Sequence, residues 1–130
     1  MSYLLDADWI ISFLNGQRRA NELINQLAQA GLFVSVVAYG EVYEGLLARP
    51  EFDKHFEALS QFVAMVDLLT LDVRTAQTYG TLRAFLRAQG LLIPDNDLWI
   101  AATALTHELT VVSRDQHFSR IPDLKTYPLA

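Results

Sequence analysis

The chain has 130 residues, of which 52% are hydrophobic and 19% charged, and this composition suits one globular domain over residues 1–130. Cysteine is absent, so disulfides and thiolate metal sites are excluded and any metal must be held by oxygen or histidine. The net charge of −5 argues against a broadly basic surface, and no apolar stretch approaches the ~20 residues of a membrane span, so we expect a soluble, cytoplasmic protein.

The predicted elements alternate between strands and helices. In the first half of the chain, the pattern predicts strands at 3–5 and 32–35 and helices at 8–14, 19–30 and 37–48. In the second half it predicts a helix at 50–63, a strand at 66–71, a helix between Asp72 and Gly90, a helix that opens at Asp97, a strand at 109–112 and a short strand near 126–127. Strands separated by helices imply right-handed crossovers and a central parallel sheet, which predicts a three-layer α/β/α fold.

Four acidic residues are candidates for one cluster at an edge of this sheet. Asp6 and Asp115 each follow a strand, and the carboxyl ends of parallel strands share the edge where open α/β sheets place their ligand crevice. Asp97 lies in the first turn of a helix that can point at the same edge, and Glu41 lies about one turn into the helix after the second strand. Because hard divalent cations prefer oxygen ligands, the four acids together predict a metal site.

Each acid also has a purely structural interpretation. Asp6 could bond the amides of its own turn, Glu41 could face solvent, and Asp97 could complement the dipole of its helix. Asp115 could cap the segment 116–118. The neighbouring acids Asp8 and Asp95 are the expected N-caps of the helices that begin beside them, which sets them apart from the cluster.

The basic residues and histidines give weaker signals. Arg83 and Arg87 lie one turn apart on the helix that leads towards Asp97, and Arg114 adjoins Asp115, so these arginines could form a local basic rim for a nucleic-acid backbone. The alternative is that they are ordinary solvated residues. The histidines lack the spacing of a metal motif, and we interpret all three as surface or packing residues: His55, His107 and His117.

Four segments of the sequence carry a resemblance to a known family. They are residues 3–8 (YLLDAD), 35–45 (SVVAYGEVYEG), 93–104 (IPDNDLWIAATA) and 111–118 (VVSRDQHF). In this order they resemble the PIN domain and, within it, the VapC-like toxin ribonucleases, and the likeness spans nearly the whole chain. The resemblance implies a PIN-like fold and an acidic quartet that binds Mg²⁺ or Mn²⁺, with Ser113 supporting the site; the quartet is Asp6, Glu41, Asp97 and Asp115.

The resemblance further implies an activity and partners. One or two metal ions would activate a water and stabilise the leaving oxygen during hydrolysis of RNA, with Glu41 as a direct or water-mediated ligand or as the base. The implied partners are the RNA substrate, a cognate VapB-like antitoxin whose disordered tail lies along a groove, and a second copy of the chain in a homodimer. Several aromatic residues are candidates for that groove, with core packing as their alternative: Trp9, Phe13, Tyr43, Phe52 and Phe56.

Two other functions stay open on the sequence. Asp6 and Asp8 after the first strand resemble the acidic pair of haloacid-dehalogenase-like phosphatases, although Trp9 and Ile10 stand where that family continues with glycine and threonine. The other is a PIN-like binding or scaffold module in which the acids are only caps. Serine hydrolysis and nucleoside-triphosphate chemistry have no support, because neither G-x-S-x-G nor G-x-x-x-x-G-K occurs.

Overall fold

The computed structural model describes residues 1–129. Within that range a single sheet is formed by four short strands: β1 (Tyr3–Leu5), β2 (Leu32–Ser35), β3 (Asp67–Leu69) and β4 (Thr110–Val112). The order across the sheet is β3-β2-β1-β4, and every neighbouring pair is parallel. The parallel sheet predicted from the alternation of elements is therefore confirmed.

The strand order brings the two acid-bearing strand ends together. The chain passes from β1 to β2 on one side of β1 and later returns to place β4 on the other side, so the topological switch point lies between β1 and β4. Leu5 is in register with Val112, and the Asp6 N–H donates to the Val112 carbonyl over 3.0 Å. The residues that follow both strands consequently lie side by side at the carboxyl edge.

Six helices flank the sheet in the described part of the chain and complete the three-layer α/β/α arrangement. They are α1 (Ala7–Leu14), α2 (Arg18–Ala28), α3 (Val36–Leu47), α4 (Phe52–Val63), α5 (Val73–Gln89) and α6 (Asp95–His107), and a 3₁₀ helix follows β4 at Gln116–Arg120. Helix α6 is buried along most of its length, because its small and apolar residues, including Leu98, Ile100 and Ala101, allow close packing on the sheet and on α3 and α5.

Several predicted boundaries are confirmed by the capping interactions that set them. The Ser35 hydroxyl caps α3 by accepting from the Ala38 N–H, and the Asp72 carboxylate caps α5 by accepting from the Thr75 N–H. Helix α5 ends at Gly90, whose φ of 68° is a left-handed conformation that glycine adopts without strain. The Asp115 carboxylate accepts from the His117 N–H and so caps the 3₁₀ helix, as its structural interpretation predicted.

Other predictions need correction. Helix α1 is capped by Asp6 and not by Asp8, and α6 begins at Asp95 after Pro94, so Asp95 is its first residue and not its cap. The third strand is shorter than predicted, and the expected strand near 126–127 is only an isolated bridge between Val111 and Thr126. In addition, Trp9 is 1% exposed, so most of its side chain packs in the core, and it reaches the surface only where it lines the cavity beside Arg114.

Candidate active site

The first part of the site joins the ends of β1 and β4. The Asp6 carboxylate is buried and accepts two hydrogen bonds, from the Ala7 N–H over 2.8 Å and from the Ser113 hydroxyl over 2.6 Å. The Ser113 oxygen in turn accepts from the Asp115 N–H over 3.0 Å. Ser113 therefore fixes both Asp6 and the turn that carries Asp115, which gives a physical basis for the supporting role that the sequence resemblance implied.

The second part of the site joins α6 to the 3₁₀ helix. His117 Nδ1 lies 2.8 Å from Asp97 Oδ2 and 3.0 Å from Asp115 Oδ1. One ligand-capable atom from each of these three residues lies within 4.8 Å of the other two. Asp97 is nearly buried, whereas Asp115 and His117 are partly exposed, so the group has a buried wall and an open side.

Glu41 on α3 completes the cluster from another direction. Its carboxylate interacts electrostatically with Asp6 and with Asp97, which places it among the acids of the sheet edge. Its Oε1 atom is buried and has no hydrogen-bond partner within residues 1–129. A buried carboxylate oxygen without a partner is energetically costly, so Glu41 is in a setting that a bound cation would satisfy.

The electrostatics of the cluster favour binding of a cation. Burial, opposed by the hydrogen bond from Ser113, raises the pKa of Asp6 to about 6. Burial, with repulsion from Asp6 and Asp97, raises the pKa of Glu41 to about 7, and burial is also the main cause of the raised pKa of Asp97. No lysine or arginine in the described chain forms an ion pair with any of the four acids. A divalent cation would supply the missing positive charge.

The two acids set apart by the sequence do have arginine partners. Asp8 Oδ2 lies 3.7 Å from Arg114 Nη1 and accepts from the Arg114 N–H over 3.2 Å. Asp95 Oδ1 lies 3.4 Å from Arg83 Nε and accepts from the Tyr79 hydroxyl over 3.0 Å. Each of these two acids therefore has a cationic partner of its own, although the charge of Asp8 still repels Asp6 and Glu41.

The three rim arginines lie in different environments. The Arg114 guanidinium stacks 3.7 Å above the Trp9 ring and borders a cavity of about 470 Å³ that also touches Ser113 and Asp115. Arg83 is held by Asp95 beside the start of α6, and Arg87 is exposed one turn further along α5. Arg114 is thus the arginine of this set that directly adjoins the acidic cluster.

His117 is 38% exposed, as expected of a surface residue, but the sequence interpretation missed that its ring bridges two acids of the site. The signal available in the sequence was its place two residues after Asp115, in a segment that the buried Phe118 anchors. That signal could not reveal Asp97 as the second partner, since Asp97 lies twenty residues earlier in the chain on another helix.

Comparison with known proteins agrees with this geometry. The sequence profile of the PIN domain matches residues 3–124. The chain belongs to the PIN domain family. The PIN match covers the strand ends and both helices that carry the acidic quartet, which accords with the resemblance seen in the sequence.

Individual relatives show which members of the PIN domain family this chain resembles. Ribonuclease VapC4 of Mycobacterium tuberculosis is 33% identical over 94 residues, which are 71% of this chain and 72% of the relative. Ribonuclease VapC2 of Haemophilus influenzae (strain Rd KW20) is 30% identical over 129 residues, covering 97% and 96% of the two chains. Within the PIN domain family, the chain therefore belongs with the VapC proteins.

A solved PIN-domain structure supports the same placement. VapBC2 from Rickettsia felis, bound to a DNA fragment from its promoter, superposes with a TM-score of 0.90 at 25% identity, and 98% of each chain is covered. The phosphatase alternative is not favoured, since the PIN profile accounts for almost the whole chain and Asp8 is bound to Arg114. No helix among residues 1–129 is long and apolar enough to cross a membrane.

Proposed function

We propose that this protein is a metal-dependent endoribonuclease that acts as the toxin of a toxin–antitoxin pair. The observation that carries the proposal is the buried acidic cluster at the switch point of the sheet, in which Glu41 Oε1 has no hydrogen-bond partner among the described residues. The names of the curated relatives, which are VapC ribonucleases, supply the reaction class. Two further proposals accompany it: the chain folds as one domain over residues 1–130, and it acts in the cytoplasm, where its proposed RNA substrate lies.

The donor set fits Mg²⁺ or Mn²⁺. Carboxylate oxygens are the ligands that both ions prefer, and such ions keep several waters, which leaves room for a phosphate group. We assign Asp6, Asp97 and Asp115 as ligands, with Glu41 as a further ligand or as the base. When bound, the metal supplies a water of lowered pKa and stabilises negative charge on the phosphate oxygens.

The residues of the chain have separate parts in this reaction. Ser113 holds Asp6 through a 2.6 Å hydrogen bond and holds the Asp115 turn through a 3.0 Å bond, so it keeps the two strand ends in a fixed relative position. Glu41 is assigned as a base from its position at the cluster. Its pKa is raised to about 7 in the metal-free protein, and a cation bound beside it would lower that value. The buried setting of Asp6 and Asp97 limits solvent access behind the cluster and strengthens their attraction for a cation.

The proposed substrate contacts are the rim arginines. We assign Arg114 to a phosphate beside the catalytic group, because its partly exposed guanidinium borders both Asp115 and the adjacent cavity. Arg83 and Arg87 are proposed as more distant phosphate contacts along α5. Their sequence-independent attraction would offset, locally, the net charge of −5.

The proposed partners are an antitoxin of the VapB type and a second copy of this chain. Solved complexes of VapB with VapC from other organisms are similar to this fold over nearly the whole chain. Helices α3 and α4 offer an apolar surface for an antitoxin segment, where the Tyr43 ring meets the rings of Phe52 and Phe56 at centroid distances of 5.7 and 5.8 Å. Phe56 is 37% exposed, so this aromatic group reaches the surface. Phe13 instead packs against Phe62.

The direct test is cleavage of a mixed pool of transfer and ribosomal RNA by antitoxin-free protein. Wild-type protein with Mn²⁺ or Mg²⁺ is expected to give discrete fragments. Addition of EDTA, or the substitution Asp97→Asn, should remove them. Small phosphomonoesters serve as the second substrate, because a phosphatase would hydrolyse them and a nuclease would not.

Fragments that persist in EDTA would contradict the metal-dependent mechanism. Hydrolysis of phosphomonoesters without RNA cleavage would support the alternative that the protein is a phosphatase. A folded protein that binds metal but cleaves neither substrate would favour the scaffold interpretation, and the thermal unfolding curve shows whether the protein is folded.

A further inference from the structure

His117 is in contact with two acids of the proposed metal site, and neither the PIN domain match nor the names of the relatives assign it a role. A single ring nitrogen, Nδ1, lies within hydrogen-bond distance of both Asp97 Oδ2 and Asp115 Oδ1, at 2.8 and 3.0 Å. A neutral imidazole with its hydrogen on Nδ1 has one N–H at that position, which two carboxylates must share. With the hydrogen on the other nitrogen, the Nδ1 lone pair would face two negatively charged oxygens.

A bound cation would satisfy all three of these groups at once. Two adjacent ligands on an octahedral ion with bonds of about 2.1 Å are separated by about 3.0 Å. The two distances at Nδ1 match that separation, and the three ligand-capable atoms all lie within 4.8 Å of one another. The group also has one open side, because 38% of the His117 side chain is exposed.

The chain holds the ring in place from both ends. The backbone N–H of His117 donates to Asp115 Oδ1 over 2.9 Å, and the next residue, Phe118, is buried in the core. The ring is therefore presented to Asp97 by a short 3₁₀ helix that is fixed on both sides. Such fixing lowers the entropy lost when a ligand side chain is ordered around an ion.

We propose that His117 contributes Nδ1 as a nitrogen ligand to the metal bound by Asp97 and Asp115, and that this ligand makes the centre prefer Mn²⁺ over Mg²⁺. The proposal deepens the proposed function and rests on it. Imidazole nitrogen is a good ligand for transition metals, whereas Mg²⁺ strongly prefers oxygen. With His117 as a ligand, the site differs from one built of carboxylates alone, because the nitrogen raises the affinity for Mn²⁺ more than the affinity for Mg²⁺.

Pulsed electron paramagnetic resonance of the full chain with one equivalent of Mn²⁺ tests the proposal directly, because it detects nitrogen nuclei bonded to the ion. A buffer without coordinating nitrogen is used. The expected result is a nitrogen coupling in the wild type and in His107→Asn, in which an exposed histidine at the end of α6 is replaced. The coupling should be lost in His117→Asn, whose amide N–H can still bond the two carboxylates but offers no ligand nitrogen.

Calorimetric titration gives a second readout that does not depend on RNA cleavage. His117→Asn is expected to weaken Mn²⁺ binding by about 10-fold or more while changing Mg²⁺ binding by less than about 3-fold. Equal weakening of both ions would show that His117 only positions the acids and would overturn the proposal.

The failure of this proposal can be distinguished from failure of the proposed function. Stoichiometric Mn²⁺ binding that is lost in Asp97→Asn, but with no nitrogen coupling in the wild type, would refute the His117 ligand and leave the acidic metal site intact. Absence of Mn²⁺ binding in the folded wild type would overturn both.

Discussion

Two helices of this protein begin with the same pattern, an aspartate, one other residue and a second aspartate, but the two patterns are used in opposite order. At the start of α1, the first acid, Asp6, is buried in the cluster and the second, Asp8, pairs with an arginine. At the start of α6, the first acid, Asp95, pairs with an arginine and the second, Asp97, is buried in the cluster.

The difference follows from how each helix is reached. Helix α1 starts directly after β1, so its N-cap already lies at the sheet edge, whereas α6 starts after Pro94 and turns its third residue towards that edge. Two residues along a helix correspond to a rotation of about 200°, so Asp95 and Asp97, both within α6, point to nearly opposite sides. Asp6 is separated from Asp8 differently, because it is the extended N-cap residue before α1. In each of these two pairs, the acid with an arginine partner lies outside the acidic cluster, and the acid without one lies inside it.

The largest expected effect comes from neutralising the two acids of α6 separately. Asp97→Asn should lower RNA cleavage by at least about 100-fold, since loss of even an outer-shell group at a metal site costs 10–100-fold. Asp95→Asn should change it by less than about 3-fold, because this acid binds Arg83 and Tyr79 and not the cluster. Initial rates at saturating Mn²⁺ measure both effects. Equal losses in the two variants would contradict the division of roles.

The same division shows how far sequence reasoning reaches. The cluster itself was predictable, because Asp6 and Asp115 follow strands and parallel strands end at one edge. The helix caps were not: Asp8 and Asp95 were predicted as N-caps, but Asp6 caps α1 and Asp95 is the first residue of α6. Such roles depend on the exact first residue of a helix, and patterns of hydrophobic residues locate helix ends only within a few residues.

Tertiary contacts account for the other errors. The contact of His117 with the acids was missed because its partner Asp97 comes from a distant helix, and the burial of most of Trp9 was missed because the residues that cover it come from other segments. The expected strand near 126–127 failed for a different reason. Only one residue there, Thr126, bridges to β4, and the chain on either side of it forms no ladder. Contacts of this kind join residues that are distant in the sequence, so the pattern of a short segment cannot predict them.

A second comparison concerns the stability of the metal-free protein, in which the effect of Asp6→Asn is compared with that of Asp8→Asn. Because the folded-state pKa of Asp6 is about 6 and its ordinary value is 3.8, the folded protein holds this proton more tightly than the unfolded chain. The contribution of Asp6 to stability is therefore greatest at low pH and is lost as the pH rises from about 4 to above 6. At pH 7.5 the charged Asp6 opposes folding, by about 2–3 kcal/mol for a shift of this size.

Asp6→Asn should accordingly raise the unfolding free energy of metal-free protein at pH 7.5 by about 1–2 kcal/mol, part of the gain being offset by the altered bond to Ser113. The gain should shrink at pH 4.5. Asp8→Asn should change the unfolding free energy less at both pH values, because it loses a weak pairing with Arg114 and relieves repulsion of Asp6. Urea unfolding in EDTA at the two pH values measures these differences, and a gain for Asp6→Asn that does not depend on pH would argue against the buried charge as its cause.

The smallest expected effect concerns the arginine pairs that mark the outer acids. A double-mutant cycle of Arg83→Met and Asp95→Asn should give a coupling energy below about 1 kcal/mol, since the contact is long at 3.4 Å and partly solvated. The cycle of Arg114→Met and Asp8→Asn should give a similarly small value, because its side-chain separation is 3.7 Å. A coupling of several kcal/mol in either cycle, measured by urea unfolding, would mean that the outer acids are held as firmly as the inner ones. The arginines would then be structural clamps and not mobile groups available to a phosphate backbone.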